Sequence, residues 1–224
     1  MKDTVLKISV LFFVITALLG CSNTNKSSVE PNQVNSSPVA ENTTNVATSS
    51  EKIKFKTEGG TDLFSLKQQA DGAKLVDGKE KELVRIKADK SGKVKFKNAA
   101  DKTLGYVVTA KGYWKLENPE QNKELYVLRN QNNGGLNLED AGKKVVYQIK
   151  SDDNGWEILK PNNQLVYQVK AKEGKTALKN SSGKTVFYTK SSIAPIAFAC
   201  FGFDVLNREQ QAALAYAVNL TGGK

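Results

Sequence analysis

Short runs of alternating apolar and polar residues recur along the chain from about residue 52 onward. The alternation is strict in Lys93-Val94-Lys95-Phe96-Lys97. Successive side chains of a strand point to opposite faces, so Val94 and Phe96 are expected to face inward while the three lysines face water. Related strand-like runs return about every 20 or 21 residues, at Leu63–Lys67, Leu83–Lys87, Leu104–Thr109, Leu125–Arg129, Val145–Lys150, Leu165–Lys170 and Val186–Tyr188.

A second run, opened by glycine, lies between these copies. It occurs at 92–98, 112–118, 155–160 and 174–180, with Gly72 and Gly135 at the same place in other units. Two such runs separated by Gly, Asn, Asp and Pro are typical of a β-hairpin. With residues 53–56 as a first strand, the pattern predicts a mainly β fold of 13 or 14 strands in one antiparallel meander. An open solenoid is an alternative, but a closed barrel of 12 or more strands is favoured because closure removes the sheet edges.

The last 35 residues depart from this pattern. Residues 193–203 are apolar throughout, and about 11 residues are too few to span a bilayer, so we expect them to be buried in the protein. Asn207, with Gln210 three residues later, has the pattern of a helix N-cap. The residues that follow are apolar nearly all round, which predicts that the helical segment 193–220 packs in or against the barrel.

The hairpin pattern together with this segment resembles the tubby-like and phospholipid-scramblase superfamily. The repeated "h-Y-x-V-K … G-K-x-x-L-x-N-x-x-G-K" pattern runs over residues 63–190, and residues 193–220 stand in the place of the family's hydrophobic C-terminal helix. The resemblance implies a closed barrel of about 12 strands threaded by that helix. The predicted strand number is one or two higher, so the extra strands are expected to pair outside such a barrel.

The N-terminus has the features of a bacterial lipoprotein signal peptide. Lys2 and Lys7 precede an apolar run of about 12 residues, and Leu18-Leu19-Gly20-Cys21 resembles a lipobox. A transmembrane helix is the alternative, but spanning a bilayer takes about 20 apolar residues. We therefore expect residues 1–20 to be cleaved and Cys21 to be lipidated. In a Gram-negative host, serine after that cysteine resembles the signal for outer-membrane sorting; in other bacteria the outer face of the cell membrane is expected.

The segment 21–50 separates this anchor from the repeat domain at 51–224. It is rich in Asn, Ser and Thr, carries few charges and has no aromatic residue, which is typical of a disordered tether. Random-coil scaling gives it a reach of about 30 Å. A folded N-terminal arm is the alternative interpretation.

The chain has few residues of the kinds that act in catalysis or bind metals. The chain has 33 Lys and Arg, 23 Asp and Glu and no His, which excludes every imidazole-based mechanism and the commonest metal ligand. Cys200, in an apolar stretch, is expected to be a core residue. The strand lysines Lys93, Lys95 and Lys97 with Tyr113, Trp114 and Trp156 are candidates for an aromatic and basic binding face. The alternative is that the aromatic residues fill the core while the lysines solvate the outer surface.

These observations predict a membrane-anchored, non-catalytic envelope protein that binds or scaffolds a partner. No cofactor or metal is expected, and export argues against nucleic acid. The partners expected are the membrane, through lipid on Cys21, and an anionic lipid or an envelope polymer; no oligomeric state is indicated. Two alternatives stay open. The family resemblance implies a barrel that binds anionic lipid through lysines such as Lys93, Lys95 and Lys97, and a cell-wall hydrolase using carboxylates is the second.

Overall fold

The computed structural model describes residues 51–152 and 155–223. The predicted signal peptide at 1–20 and the predicted tether at 21–50, with Cys21, lie outside this part of the chain, so they stay predictions. No helix within the described ranges is long and apolar enough to cross a membrane.

The described residues form fourteen strands and a C-terminal helical segment. The strands are β1 (Lys52–Lys56), β2 (Asp62–Gln69), β3 (Gly72–Asp77), β4 (Glu82–Ala88), β5 (Val94–Lys97), β6 (Thr103–Ala110), β7 (Tyr113–Glu117), β8 (Glu124–Asn130), β9 (Leu136–Asp140), β10 (Val145–Asp152), β11 (Gly155–Leu159), β12 (Leu165–Lys172), β13 (Lys175–Asn180) and β14 (Thr185–Thr189). They are followed by α1 (Pro195–Ala199), a short 3₁₀ turn (Cys200–Gly202) and α2 (Arg208–Leu220).

Each strand pairs with its neighbours in sequence, and β1 pairs with β14, so the sheet is a closed antiparallel barrel. The predicted mainly β meander and its closure are therefore confirmed. All fourteen strands belong to the barrel, which corrects the expectation that one or two extra strands pair outside it. The reason is that every hairpin unit contributes apolar side chains to the one core, so each unit adds two strands to the wall.

The alternation in sequence sets which side chains face the interior. In β1, Ile53 and Phe55 are buried whereas Lys52, Lys54 and Lys56 lie on the outer side. The inner side chains of the strands and those of the helical segment form one continuous hydrophobic core. The outer wall of the barrel is therefore mainly polar, and its core is apolar.

The turns that connect odd to even strands lie at one end of the barrel, here called the Asx end. Five of them share one design and begin at Asp77, Asn98, Asn118, Asp140 and Asn180. In the turn after β3, Asp77 Oδ1 accepts hydrogen bonds from the backbone N–H groups of Lys79 and Lys81, both at 2.9 Å. Glu80 in this turn has φ of +66°, in the left-handed region. Side-chain oxygens of Asn98, Asp140 and Asn180 accept equivalent bonds in their turns. Such local bonds satisfy backbone groups that have left the sheet.

The C-terminal segment forms a helical hairpin inside the barrel. Eight consecutive residues of α2, 211–218, are buried, which requires protein on every side of the helix. α1 contacts β11–β13, and α2 contacts β3–β7 on the other side of the interior. The predicted N-cap is confirmed, because Asn207 Oδ1 accepts from the Gln210 N–H at 2.9 Å and Gln210 Oε1 accepts from the Asn207 N–H at 3.1 Å. The segment at 193–220 is two helices rather than one, since the chain reverses at 203–207.

The closure between β1 and β14, here called the seam, has the shortest ladder in the barrel. Lys56 and Tyr188 are its single register pair, whereas every other pair of neighbouring strands has at least four. An aromatic cluster lies beneath it. Phe198 of α1 is 5.8 Å from Phe55 of β1 and 5.5 Å from Phe187 of β14, measured between ring centroids. Side-chain packing from the helical hairpin therefore supports a join that has few backbone hydrogen bonds.

Candidate basic binding face

Positive charge is unevenly distributed around the barrel. Residues 52–97 contain 13 Lys and Arg against 7 Asp and Glu, and residues 170–190 contain 6 against 1. Residues 98–169 between them are balanced, with 9 of each sign. The seam joins the two positive segments, because β1 lies next to β14. The outer surface of β12–β14 and β1–β5, here called the basic face, therefore has a large excess of cations.

A row of five basic side chains crosses this face from strand to strand. The register pairs Lys52 with Lys67, Lys67 with Lys74, Lys74 with Arg85, and Arg85 with Lys97. We call these five residues the basic ladder. Directly opposed like charges repel across a sheet, so the ladder is stable only if counter-charges or solvent screen it.

Three carboxylates from the Asx end supply part of that screening. Glu80 lies between two ladder residues, with Oε1 at 2.5 Å from Lys52 Nζ and Oε2 at 2.5 Å from Lys67 Nζ. These two ammonium groups lower the pKa of Glu80 to about 2. Glu82 and Asp101 bridge the rest of the ladder in the same way, to Lys74, Arg85 and Lys97. Five cations are thus shared by three carboxylates, which leaves a net positive charge.

A groove of about 360 Å³ lies over the seam, here called the seam groove. Its lining includes four lysines, one tyrosine and one serine: Lys52, Lys54, Lys56, Lys190, Tyr188 and Ser191. Ser191 Oγ donates a hydrogen bond to the backbone oxygen of Lys52 at 3.2 Å, which holds the segment after β14 against β1. Asp62 pairs with Lys56 at 2.6 Å and more distantly with Lys54 at 3.7 Å. Lys190 has no ion-pair partner within 4 Å among the described residues.

A second groove, of about 930 Å³, adjoins the first on the outer side of β12–β14. Lys175 and Lys179 line it, together with the carboxylates Glu58 and Glu173. Lys175 Nζ lies 4.0 Å from the ring centroid of Tyr188, and that tyrosine also lines the seam groove. The Lys175–Tyr188 pair therefore forms the boundary that the two grooves share.

The three predicted lysines, Lys93 just before β5 and Lys95 and Lys97 within it, lie on the outer side, as the alternation predicts. Lys93 and Lys95 approach one aromatic ring that the sequence analysis missed: their Nζ atoms are 4.8 and 5.5 Å from the centroid of Tyr106. Lys97 pairs with Asp101 at 3.0 Å. The cross-strand pairing of Lys95 with Tyr106 could not be read from the chain, since it depends on the register between β5 and β6.

The structure separates the three predicted aromatic residues. Tyr113 is on the outer side of β7, where its ring centroid lies 5.1 Å from the guanidinium of Arg129. Trp114 points inward and is 1% exposed. Trp156 is on the inner side too, since its register partner Val169 is fully buried, and it packs against the core. Both tryptophans are thus on the inner side, Trp114 within the core and Trp156 partly buried against it, and they do not join the lysines.

The cysteine and three of the paired carboxylates have shifted pKa values. Cys200 is fully buried, and this burial raises the pKa of its thiol well above the usual range. Neighbouring lysines lower the pKa of Asp62, Asp71 and Asp101, by hydrogen bonds from Lys56, Lys87 and Lys97 respectively. A general acid in glycoside hydrolysis needs a carboxyl group whose pKa is raised. These carboxylates act as counter-ions.

Comparison with known proteins gives no family. No family model and no curated protein matches the sequence. A solved structure of a protein from Arabidopsis thaliana is similar, with 12% identity and a TM-score of 0.38 over 67% of this chain and 86% of that chain. Alternansucrase in complex with isomaltononaose is similar with 18% identity and a TM-score of 0.19, over 59% of this chain and 12% of that chain. The resemblance to tubby-like and scramblase proteins stays a prediction.

Proposed function

We propose that this chain is a lipid-anchored protein of the cell envelope whose barrel is a non-catalytic binding module. One observation carries the proposal. The interior that a small ligand would occupy in a hollow barrel is filled by the chain's own helical hairpin, in which residues 211–218 are all buried. Recognition is therefore left to the outer surface, where the basic face is the main chemical feature.

The lipid anchor rests on the lipobox at Leu18–Cys21. β1 begins at Lys52, and Lys52 lines the seam groove, so the predicted tether joins the barrel at the basic face. The test is metabolic labelling with an alkyne-bearing fatty acid, followed by membrane fractionation. The wild-type chain is expected to carry label and to sediment with membranes, and the Cys21→Ser variant to lose both properties; label on both chains contradicts the proposal.

The proposed lack of catalytic activity is supported by the protonation and burial of the side chains that a hydrolase or thiol enzyme would use. The chain has no His, the Cys200 thiol is inaccessible, and Asp62 and Glu80, which pair with lysines, have lowered pKa values. The competing hydrolase hypothesis is tested by zymography of the chain on peptidoglycan. A cleared zone that disappears when a single carboxylate is replaced would overturn the proposal.

A second candidate function is binding of anionic lipid headgroups through the β5 lysines. The observation in its favour is a groove of about 250 Å³ lined by Arg85, Lys87, Lys95 and Lys97, with Asp101 as the acidic member. Each lysine close to an anionic surface contributes about 1 kcal/mol. In flotation of the Cys21→Ser chain, this function predicts binding to vesicles with phosphatidylglycerol that salt weakens, and none to neutral vesicles. Equal flotation with both vesicles would rule it out.

A further inference from the structure

Closure of the barrel brings two cationic segments together that are more than seventy residues apart in sequence. The lysines on the two sides of the seam follow two adjoining grooves, with the Lys175–Tyr188 pair between them. We propose that the seam groove and its neighbour form one site for a linear phosphate polymer that crosses β1, β14 and β13. This inference rests on the proposed function as an envelope binding module, and it adds the site and the class of ligand.

The shape of the site favours a narrow chain over a bilayer. Lys54 and Lys56 lie on one side of Tyr188, and Lys175 and Lys179 on the other, in two grooves. A flexible polymer can follow a groove, whereas a flat lipid surface touches only its rims. The exposed aliphatic side chains of the wall near the seam, Leu63 and Val186, stand singly on different strands, and single exposed residues do not form an insertion surface.

The chemistry of the site suits a chain of phosphate groups. Of the 19 basic residues in 52–97 and 170–190, 18 are lysines, and Arg85 is the one arginine. Arginine has a planar fork that recognises carboxylate and phosphate alike in a bidentate way, whereas lysine binds phosphate as a compact point charge. A row of point charges suits a polymer that carries a negative charge on every repeat unit, because binding then does not depend on the orientation of each phosphate group. Release of condensed counterions then supplies much of the binding free energy.

Some of these cations are available for a ligand. Among the described residues, Lys179 and Lys190 have no carboxylate within 4 Å, and Lys54 has Asp62 at the loose distance of 3.7 Å. Lys175 is held over an aromatic ring, which orients its ammonium group without neutralising it. The carboxylates in the second groove, Glu58 and Glu173, oppose an anionic ligand. Their removal should therefore strengthen binding.

The experiment measures binding of long-chain inorganic polyphosphate to the full chain in detergent, by isothermal titration calorimetry at several salt concentrations. The seam variant carries Lys54→Gln, Lys175→Gln and Lys190→Gln, one change on each of the three neighbouring segments. The matched control carries Lys111→Gln, Lys144→Gln and Lys160→Gln, which remove the same charge from the balanced part of the barrel.

If phosphate contacts behave as they do in nucleic acids, each lost lysine reduces the slope of log K against log salt by about one. The seam variant is expected to bind at least about tenfold more weakly with a slope reduced by about three, and the control to change less than about twofold.

Two other outcomes would contradict the proposal. Equal losses in the seam variant and the control would show that net charge alone binds the polymer, and would overturn the site. Displacement of polyphosphate by phosphatidylglycerol micelles at equal total phosphate would overturn it in favour of a lipid surface. Should the seam variant fold poorly, the double change Glu58→Gln and Glu173→Gln provides the test, with tighter binding expected and unchanged binding against the proposal. Labelling of Cys21 is independent of these measurements, so the lipid anchor and the polymer site can fail separately.

Discussion

The seam is the join of the barrel that depends most on side-chain packing, and Phe198 is the residue that tests this. Phe198 is fully buried on α1 and contacts a phenylalanine from each seam strand, Phe55 and Phe187. Replacing a buried phenylalanine by alanine costs about 3–5 kcal/mol. Aromatic pairs add about 0.5–1.5 kcal/mol each beyond the burial of area, and Phe198 makes two. Measured losses for such replacements already include these contacts, so we expect Phe198→Ala to fall in the upper part of the range, at about 4–5 kcal/mol of unfolding free energy. The total for a domain is about 5–15 kcal/mol.

The assay is urea unfolding, followed by tryptophan fluorescence and by far-ultraviolet circular dichroism. With a slope of about 2–3 kcal/mol per M, the expected loss moves the midpoint down by about 1.3–2.5 M. Trp114 reports from β7, which contacts α2, and Trp156 reports from β11, which contacts α1. The two signals should still change together if the hairpin connects both sides of the interior. Phe198→Leu, which keeps most of the apolar volume, should lose about 1–2 kcal/mol.

The matched control is Val186→Ala, on the outer side of β14, where the side chain is 40% exposed. It is expected to change stability by less than about 0.5 kcal/mol. Amide hydrogen exchange supplies a local measurement, since Phe198→Ala should speed exchange in β1 and β14 more than in β8. A loss below about 1 kcal/mol, or fluorescence that changes without the circular dichroism, would refute the role given to the hairpin beneath the seam.

Three further predictions concern the ladder, the wall and the core. The pKa of Glu80 is lowered from 4.5 to about 2 in the folded chain, so its contribution to stability is complete above pH 4.5 and is lost as the pH falls towards 2. The stability difference between wild type and Glu80→Gln, measured by urea unfolding, should therefore shrink between pH 4.5 and 2. A constant difference would contradict the pairing. In thermal unfolding, Gly72→Ala should destabilise the barrel by more than about 2 kcal/mol, because the added Cβ would lie 1.9 Å from the backbone oxygen of Ile86. The control Gly59→Ala should be near neutral, because its Cβ meets no atom closer than 3.9 Å. The Cys200 thiol should react with a maleimide only after denaturation, so rapid labelling of the native chain would show that the interior is accessible.

The alternation of apolar and polar residues was enough to predict the strands and their number. It works because a strand has a period of two, so residues such as Val94 and Phe96 can face a core only if the chain between them is extended. The capping pair of Asn207 and Gln210 was readable for a similar reason, since it joins residues three positions apart. Local geometry connects these features directly to the order of residues along the chain.

The basic ladder and the seam groove could not be predicted from the local sequence pattern. Lys52, Lys67 and Lys74 are neighbours only because the register of β1, β2 and β3 aligns them. Lys54 and Lys190 share a groove because the first strand and the last are hydrogen-bonded. Nor did composition distinguish Trp114 in the core from Tyr113 on the outer side, a difference that one position along a strand decides.

The order of residues by itself therefore determined which segments are strands, which face of each is apolar and where the chain turns, since these depend on contacts within a few residues. Closure and the packing of the C-terminal segment in or against the barrel were expected on general grounds, namely the removal of sheet edges and the burial of an apolar helix. The tertiary structure decided that all fourteen strands close the barrel, that a helical hairpin fills it and that two positive segments meet across the seam. They depend on pairing between residues such as Lys56 and Tyr188, more than a hundred positions apart, and no local pattern specifies such a pair.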